Sequence, residues 1–426
     1  LKKVLLISYY WPPAGGPGVQ RWLKFVTYLK DFGVEPIVYV PENPTYPIVD
    51  KELLNELPNG IEILKHQIFE PYALASKIGG KSSDTISKGI IPPEKNQRCI
   101  QKVLLWVRGN LFIPDARKYW VNPSVKFLAK VIEKKEINTI ITTGPPHSMH
   151  LIGSILKERL NIEWIADFRD PWTSIGYHKK LLLTKWAQKK HIDLEQLVLN
   201  SADKIIVTSE GTKREFTQKT TQPIYVVTNG FEPLQLHDIV LDTKFSMAHI
   251  GSLLSERNPK NLWKAIAELI QENKIFEANF ELKLAGVVSE TILSTLKAIG
   301  LEKYTRILGY VSHNEAQLMQ RQSQVLLLIE IDSEETKMII PGKLFEYLQS
   351  NRPILGIGRK GADFSTILKE TNTGVFYEYH EIEAIKKQLM SYFELYLKGN
   401  LSVIPKHIEN YTRKSLTGKL AAIIKK

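Results

Sequence analysis

One stretch, residues 338–358 (MIIPGKLFEYLQSNRPILGIG), packs a helix start, a lysine, a carboxylate among apolar residues and a strand into twenty-one positions. Pro341 suits the first turn of a helix, where its missing N–H leaves no bond unmade and its fixed φ is already helical. Gly342 lets the backbone approach a ligand closely. Lys343 then stands beside the positive end of the helix dipole, so amides and an ammonium converge where a phosphate can be held. Glu346 lies among Leu344, Phe345, Tyr347 and Leu348, and a carboxylate one turn into so apolar a helix must find hydroxyls or a cation to offset its burial. A sugar or ribose diol would supply them. A capped surface helix with an exposed Lys343 and Glu346 is the plainer alternative, because short motifs are weak by themselves.

The elements needed to position these groups can be followed along the chain. Residues 4–8 (VLLIS) read as a buried strand, followed by aromatic and proline punctuation, then Ala14, Gly15, Gly16, Pro17 and Gly18. Val19, Trp22, Leu23, Val26 and Leu29 recur at helical spacing. A strand, a glycine loop and a helix form the geometry in which amides approach a phosphate, although the glycines serve a plain turn equally well. PIVYV (36–40) closes a first β-α-β unit. TIITT (139–143) precedes Gly144, two prolines and His147, and EWIADF (163–168) runs into Arg169, Asp170, Pro171 and Trp172. Charges at the carboxyl end of a buried parallel strand stand where open α/β sheets bind ligands; a local Arg169–Asp170 pair that fixes the loop is the structural alternative. KIIVTS (204–209) and IYVVTNG (224–230) supply the last strands of this half. The pattern then repeats: MAHIGS, a helix from Pro259, ELKLAG, TRILGY, VLLLIE, the helix from Pro341, and PILGIG, with helices between. Two doubly wound sheets are the economical architecture.

These residues resemble a known family. PGKLFEYL with NRPILGIG is similar to the nucleotide-sugar-binding segment of retaining glycosyltransferases of family 4, and ADFRDPW resembles a stretch from a bacterial branch of the same enzymes. The resemblance implies the GT-B fold, two Rossmann-like domains facing a central cleft: residues 1–232 with a returning C-terminal helix in 408–426 on the acceptor side, and 233–407 binding the donor. It also implies roles. Glu346 would hold the ribose hydroxyls, and Gly15 and Gly16 would face the donor diphosphate. Arg257, with Lys260 close behind, would neutralise that diphosphate beside Gly251, where Ser252 occupies a position often held by arginine. The backbone of Gly309, Tyr310 and Val311 would rim the nucleobase. Two departures stand out: Met338 occupies the place of an earlier glutamate, with Glu330, Glu334 and Glu335 upstream as substitutes among which the sequence does not choose, and Arg169 replaces a histidine near the reacting carbon. An arginine cannot be a base at neutral pH, so its expected role is electrostatic, with Asp170 and His147 as the other catalytic candidates. TNGFE (228–232) resembles the inter-domain loop and residues 412–424 the tail that crosses back.

Composition bounds the reading. A chain of 426 residues fits two domains, and 43% hydrophobic with 24% charged residues marks a globular protein. No run is long and apolar enough for a membrane span and no secretory signal is evident, so the expected compartment is the cytoplasm; the opening Leu1 reads as a trimmed start. The single Cys99 has no disulfide or ligand-spaced partner. A net charge of +12 favours anionic partners, and without finger, zipper or RNA-binding signatures nucleic acid is not expected among them. Residues 69–130 hold eleven Lys or Arg against four Asp or Glu beside tryptophans and leucines, and residues 179–190 hold five lysines beside Leu181, Leu182, Leu183 and Trp186. Both suit a peripheral position on an anionic bilayer, or else are solvated faces.

The expected activity is a retaining transfer from a nucleotide-diphosphate sugar to a glycan or lipid-linked glycan in cell-surface polysaccharide synthesis. No acidic pair of the DxD kind is found, so neither metal nor cofactor is expected. A nucleotide-sugar epimerase of the same fold, and a catalytically weak binding or scaffold protein, remain alternatives.

Overall fold

The computed structural model describes residues 1–70, 99–234 and 239–426. The chain divides into two compact units, Leu1–Asn229 with Arg413–Lys426, and Gly230–Thr412. Residues 408–412 therefore group with the second unit, where Tyr411 packs on Phe345 and its carbonyl accepts from the Phe231 amide.

In the first unit the strands are β1 (Lys2–Ile7), β2 (Val34–Pro41), β3 (Glu62–His66), β4 (Thr139–Gly144), β5 (Glu163–Phe168), β6 (Lys204–Val207) and β7 (Ile224–Val226). All pair in parallel, in the order β3-β2-β1-β4-β5-β6-β7. Alternate residues of β1 enter opposite cores, Leu5 and Ile7 on one face and Val4 and Leu6 on the other. That is why the strand reads as an unbroken apolar run. In the second unit β8 (Phe245–Ile250), β9 (Phe280–Ala285), β10 (Thr305–Gly309), β11 (Val325–Ile329), β12 (Ile354–Gly358) and β13 (Gly374–Glu378) order as β10-β9-β8-β11-β12-β13, again parallel. In each sheet the winding reverses once, beside the first strand, and that reversal is where doubly wound sheets hold ligands.

The helix Pro17–Leu29 starts with proline in its first turn and buries Val19, Trp22, Leu23, Val26 and Leu29, as the spacing predicts. It also buries Arg21, whose Nη2 lies 3.2 Å from Asp167 Oδ1. Asp167 is fully buried in β5 and accepts two further bonds, from Trp22 Nε1 at 2.8 Å and Thr143 Oγ1 at 2.7 Å. The returning helix Arg413–Lys425 buries Leu416, Leu420 and Ile424 in the same core as Trp22 and Val26. Its last carbonyls accept from Lys2 and Lys204, both of which also pair with Glu163 at the head of β5.

The loop after β5 is fastened by Trp172. One face stacks on His147 at 4.6 Å between ring centroids, and Nε1 donates to His191 Nδ1 at 3.1 Å. His150 and His178 complete a group of four buried imidazoles. Burial lowers the pKa of every one, His150 to about 3 and His178 to about 4.

Two predictions follow from this packing. Asp167→Ala leaves Arg21 charged, buried and unpaired, and should lower stability by about 3–5 kcal/mol in urea unfolding. The histidines stay neutral in the fold but take up protons below pH ~6.5 when unfolded. Stability should therefore be full above that pH and fall as the pH drops from 6.5 toward 4, by about 2 kcal/mol at pH 5 for each of His150 and His178. A melting temperature that is flat between pH 7.5 and 5 would contradict this.

Candidate functional site

In the second unit the sheet reverses between β8 and β11, and the expected donor-binding residues gather at that end. β8 runs straight into Gly251 (φ +119), whose amide donates to Ala285 O at 2.8 Å. The neighbouring strand passes into Gly286 (φ +107), whose amide donates to Gly309 O at 2.6 Å. A Cβ on Gly286 would stand 2.7 Å from the Gly251 carbonyl carbon, and one on Gly251 would stand 2.8 Å from Lys343 Nζ. Both backbone angles favour glycine, and at Gly286 backbone crowding requires it as well, whereas a Cβ on Gly251 would displace the Lys343 amino group.

Lys343 belongs to the helix Gly342–Tyr347, which is shorter than the spacing predicts. Pro341 has ψ 129 and sits at the N-cap instead of in the first turn. This corrects its expected place: its backbone is extended, and the chain becomes helical only from Gly342. Lys343 Nζ lies 3.0 Å from His249 Nε2, while His249 Nδ1 lies 3.2 Å from Leu327 O. A carbonyl can only accept, so Nδ1 carries the hydrogen and the Nε2 lone pair accepts from the lysine. Loss of water around its amino group, reinforced by Arg257 and opposed by Glu330 and Glu346, lowers the pKa of Lys343 to about 7.

Arg257 is held by Glu330, with Nε and Nη2 each 2.9 Å from Oε1. Glu330 directly follows β11, is only 2% exposed, and also accepts from the Ile331 amide at 2.9 Å. Tyr379 donates to its carbonyl at 2.7 Å. Of the three acids upstream of Met338, Glu330 is thus the one beside Arg257 and Lys343. Glu334 is turned to the surface, where it pairs with Lys337 and Arg359, and Glu335 is half-buried. Glu346 is half-buried and accepts from Gln320 Nε2 at 2.9 Å.

The other expected donor residues surround this group, and their side chains make no bond to Lys343, Arg257 or Glu346 among the described residues. Ser252 is exposed, and so is Lys260 in the first turn of the helix Lys260–Glu272. Gly309 closes β10 with φ +64, Tyr310 is 94% exposed, and Val311 packs into the core beneath. His249, Gly286 and Tyr379 were not read from the sequence. The available signal was a histidine inside the apolar strand MAHIGS.

In the first unit a second group forms at the carboxyl ends of β1, β4 and β5. The Gly15 amide donates to Ile48 O at 3.0 Å, and Gly16 (φ +110) caps the helix Pro17–Leu29. A Cβ on Gly18 would stand 2.5 Å from Arg169 Nη1, so the guanidinium lies against the first turn of that helix. Arg169 Nη2 donates to Pro145 O. The local Arg169–Asp170 ion pair is not formed among the described residues, because the guanidinium is engaged elsewhere. Asp170 is half-buried, and its pKa is raised by burial and by Asp167 against the opposing pull of Arg169. His147 is buried with no partner on either ring nitrogen among the described residues, and burial, His150 and Arg169 lower its pKa. The structure thus brings Arg169 to the glycine loop and packs His147 away beside Trp172.

Of the basic apolar segments, residues 71–98 lie outside the described residues. The helix Cys99–Leu111 packs on the connection leading to the helix Lys185–Ser201, through Leu105, Leu181 and Leu183 and a 2.7 Å bond from the Thr184 amide to Asn110 Oδ1. A single helix across 179–190 with one apolar face is therefore not formed: Leu181 turns inward, while Trp186 remains 62% exposed with Lys190 5.1 Å from its ring. Among the described residues no helix is long and apolar enough to cross a membrane, and no three His, Cys, Asp or Glu side chains are grouped to hold a metal ion.

No protein-family profile and no curated protein matches the chain. Solved structures do. The lipopolysaccharide outer core galactosyltransferase WaaB aligns over 100% of this chain and 100% of its own, at 14% identity and TM-score 0.58. Sucrose-phosphate synthase from Thermosynechococcus elongatus aligns over 100% and 94%, at 13% identity and TM-score 0.55. UDP-GlcNAc 2-epimerase from Methanocaldococcus jannaschii aligns over 100% and 99%, at 12% identity and TM-score 0.50. At these identities the likeness is one of fold, and the fold is of the GT-B type: two α/β units, each built on a doubly wound parallel sheet.

Proposed function

We propose that the chain is a glycosyltransferase that takes its sugar from a nucleotide-diphosphate donor. The observation that carries this reading is the cluster at the reversal of the second sheet: Lys343 above Gly251, Arg257 held by Glu330, and Glu346 one turn beyond Lys343. Transfer requires the departing diphosphate to be stabilised as its bond to the anomeric carbon breaks. Lys343 and Arg257 supply the positive charge, in the place a metal takes in other transferases, so the reading is of a metal-independent enzyme without cofactor. Glycine strand ends let the diphosphate approach, and Glu346 accepts from the ribose hydroxyls. With no protein nucleophile read from the sequence, the acceptor hydroxyl attacks from the face that the diphosphate leaves and gives the diphosphate its proton as the C–O bond forms, which makes the reaction retaining.

In this reading the first unit handles the acceptor, with Arg169 steadying negative charge and Asp170 orienting the incoming hydroxyl. The basic, tryptophan-bearing surface around Trp186 suits a glycan carried on a lipid, hence a protein working peripherally at the inner face of a membrane in polysaccharide synthesis. A nucleotide-sugar epimerase is the second reading, favoured by the likeness to the M. jannaschii enzyme.

Incubation with a panel of nucleotide sugars tests the proposal. Nucleoside diphosphate released only when an acceptor is added supports transfer, isomerised donor supports the epimerase, and binding without turnover would leave a scaffold. Glu346→Ala should weaken donor binding by about 1.5–3 kcal/mol, the range for a hydrogen bond to a charged group. Unchanged affinity in calorimetry removes Glu346 from the site.

A further inference from the structure

The cations of the second unit are partnered in different ways. Arg257 shares its charge with Glu330 at 2.9 Å. Among the described residues Lys343 has no carboxylate within 4.0 Å, and its amino group rests on the neutral imidazole of His249. A carboxylate in that place would already supply the counter-charge, whereas an imidazole lone pair orients the amino group and leaves the counter-charge to a ligand. His249 is itself completely buried, with Nδ1–H committed to Leu327 O and the Ser252 carbonyl also facing the ring. It cannot turn away, and the lysine has one direction in which to lie.

We propose that His249 is a positioning residue for the donor diphosphate: its Nε2 holds the Lys343 amino group above Gly251. The proposal rests on the nucleotide-sugar reading above and adds a residue and a linkage to it.

The groups around the amine decide the sign. Arg257 and the loss of water oppose its charge, Glu330 and Glu346 favour it, and the net result is a pKa of about 7. Tyr347 and Tyr379, the neighbouring phenols, have pKa values raised by burial and stay neutral. His249 is kept neutral by burial, Lys343 and Arg257. A diphosphate adds negative charge beside Lys343, so the bound form keeps its proton to a higher pH than the free form. Affinity must then be independent of pH below the free pKa and fall above it, toward tenfold per pH unit.

Calorimetry on the full chain with UDP, GDP, ADP and dTDP tests this, the tightest binder being followed in buffers of different ionisation enthalpy. At pH 7.5 binding should take up roughly 0.5–0.8 proton, and at pH 6 about 0.1. Lys343→Arg, whose guanidinium is always charged, should abolish the uptake at pH 7.5. His249→Leu should weaken binding about tenfold, whereas His249→Gln, which can accept from Lys343 and donate to Leu327 O, should stay within about threefold of the parent. Should the leucine variant not fold, 15N chemical shifts of the parent's His249 serve instead, with a protonated Nδ1 and a bare Nε2 expected. Binding that His249→Leu leaves unchanged, or a protonated Nε2, overturns the role of His249, and binding without proton uptake overturns the linkage; each leaves the nucleotide-sugar reading standing. Failure of all four nucleotides to bind overturns both.

Discussion

The ion pair between Glu330 and Arg257 sets the electrostatics of the second unit. Glu330 emerges from the central strand β11 with its side chain almost wholly shielded from water, and a carboxylate there is tolerable only when fully bonded. Arg257 and the Ile331 amide satisfy it. The guanidinium is thereby fixed at the carboxyl end of the sheet, and it raises the cost of a second cation nearby. Lys343 bears that cost. Its amine sits near the balance point between charged and neutral because it is shielded from water and Arg257 lies beside it, and it holds its position because a histidine orients it.

The first unit has a carboxylate at a comparable depth, with a different outcome. Asp167 accepts from Arg21, Trp22 and Thr143 and is completely enclosed. Such a closed pair ties the helix Pro17–Leu29 to β4 and β5 and offers nothing to a ligand. The exposed chemistry lies one turn away, where Arg169 rests on Gly18. The same device, a buried acid that fixes an arginine, is a fastening in one sheet and a charge-setting element in the other.

Much of this was legible in the sequence, and the gaps have physical reasons. Central strands were readable because burial on both faces leaves unbroken apolar runs such as VLLLI. The edge strands β3 and β13 were missed because half-burial mixes charged residues into them, as in EILKH. Arg257, Lys343 and Glu346 were legible as candidates because the latter two fall on one short helix and the former in the loop that follows β8. Glu330 could not be chosen over Glu334 because the stretch from 330 to 341 has no periodicity to orient it. His249 was hidden for the opposite reason: its strand is so regular that one polar member reads as packing.

The helix Arg413–Lys425 lies against Pro17–Leu29 and is gripped at its end by Lys2 and Lys204. The chain must therefore travel through the whole second unit before the core of the first can close. During synthesis on a ribosome, the first unit is begun before the second and completed after it, and the apolar face around Trp22 and Val26 must wait for this helix to emerge.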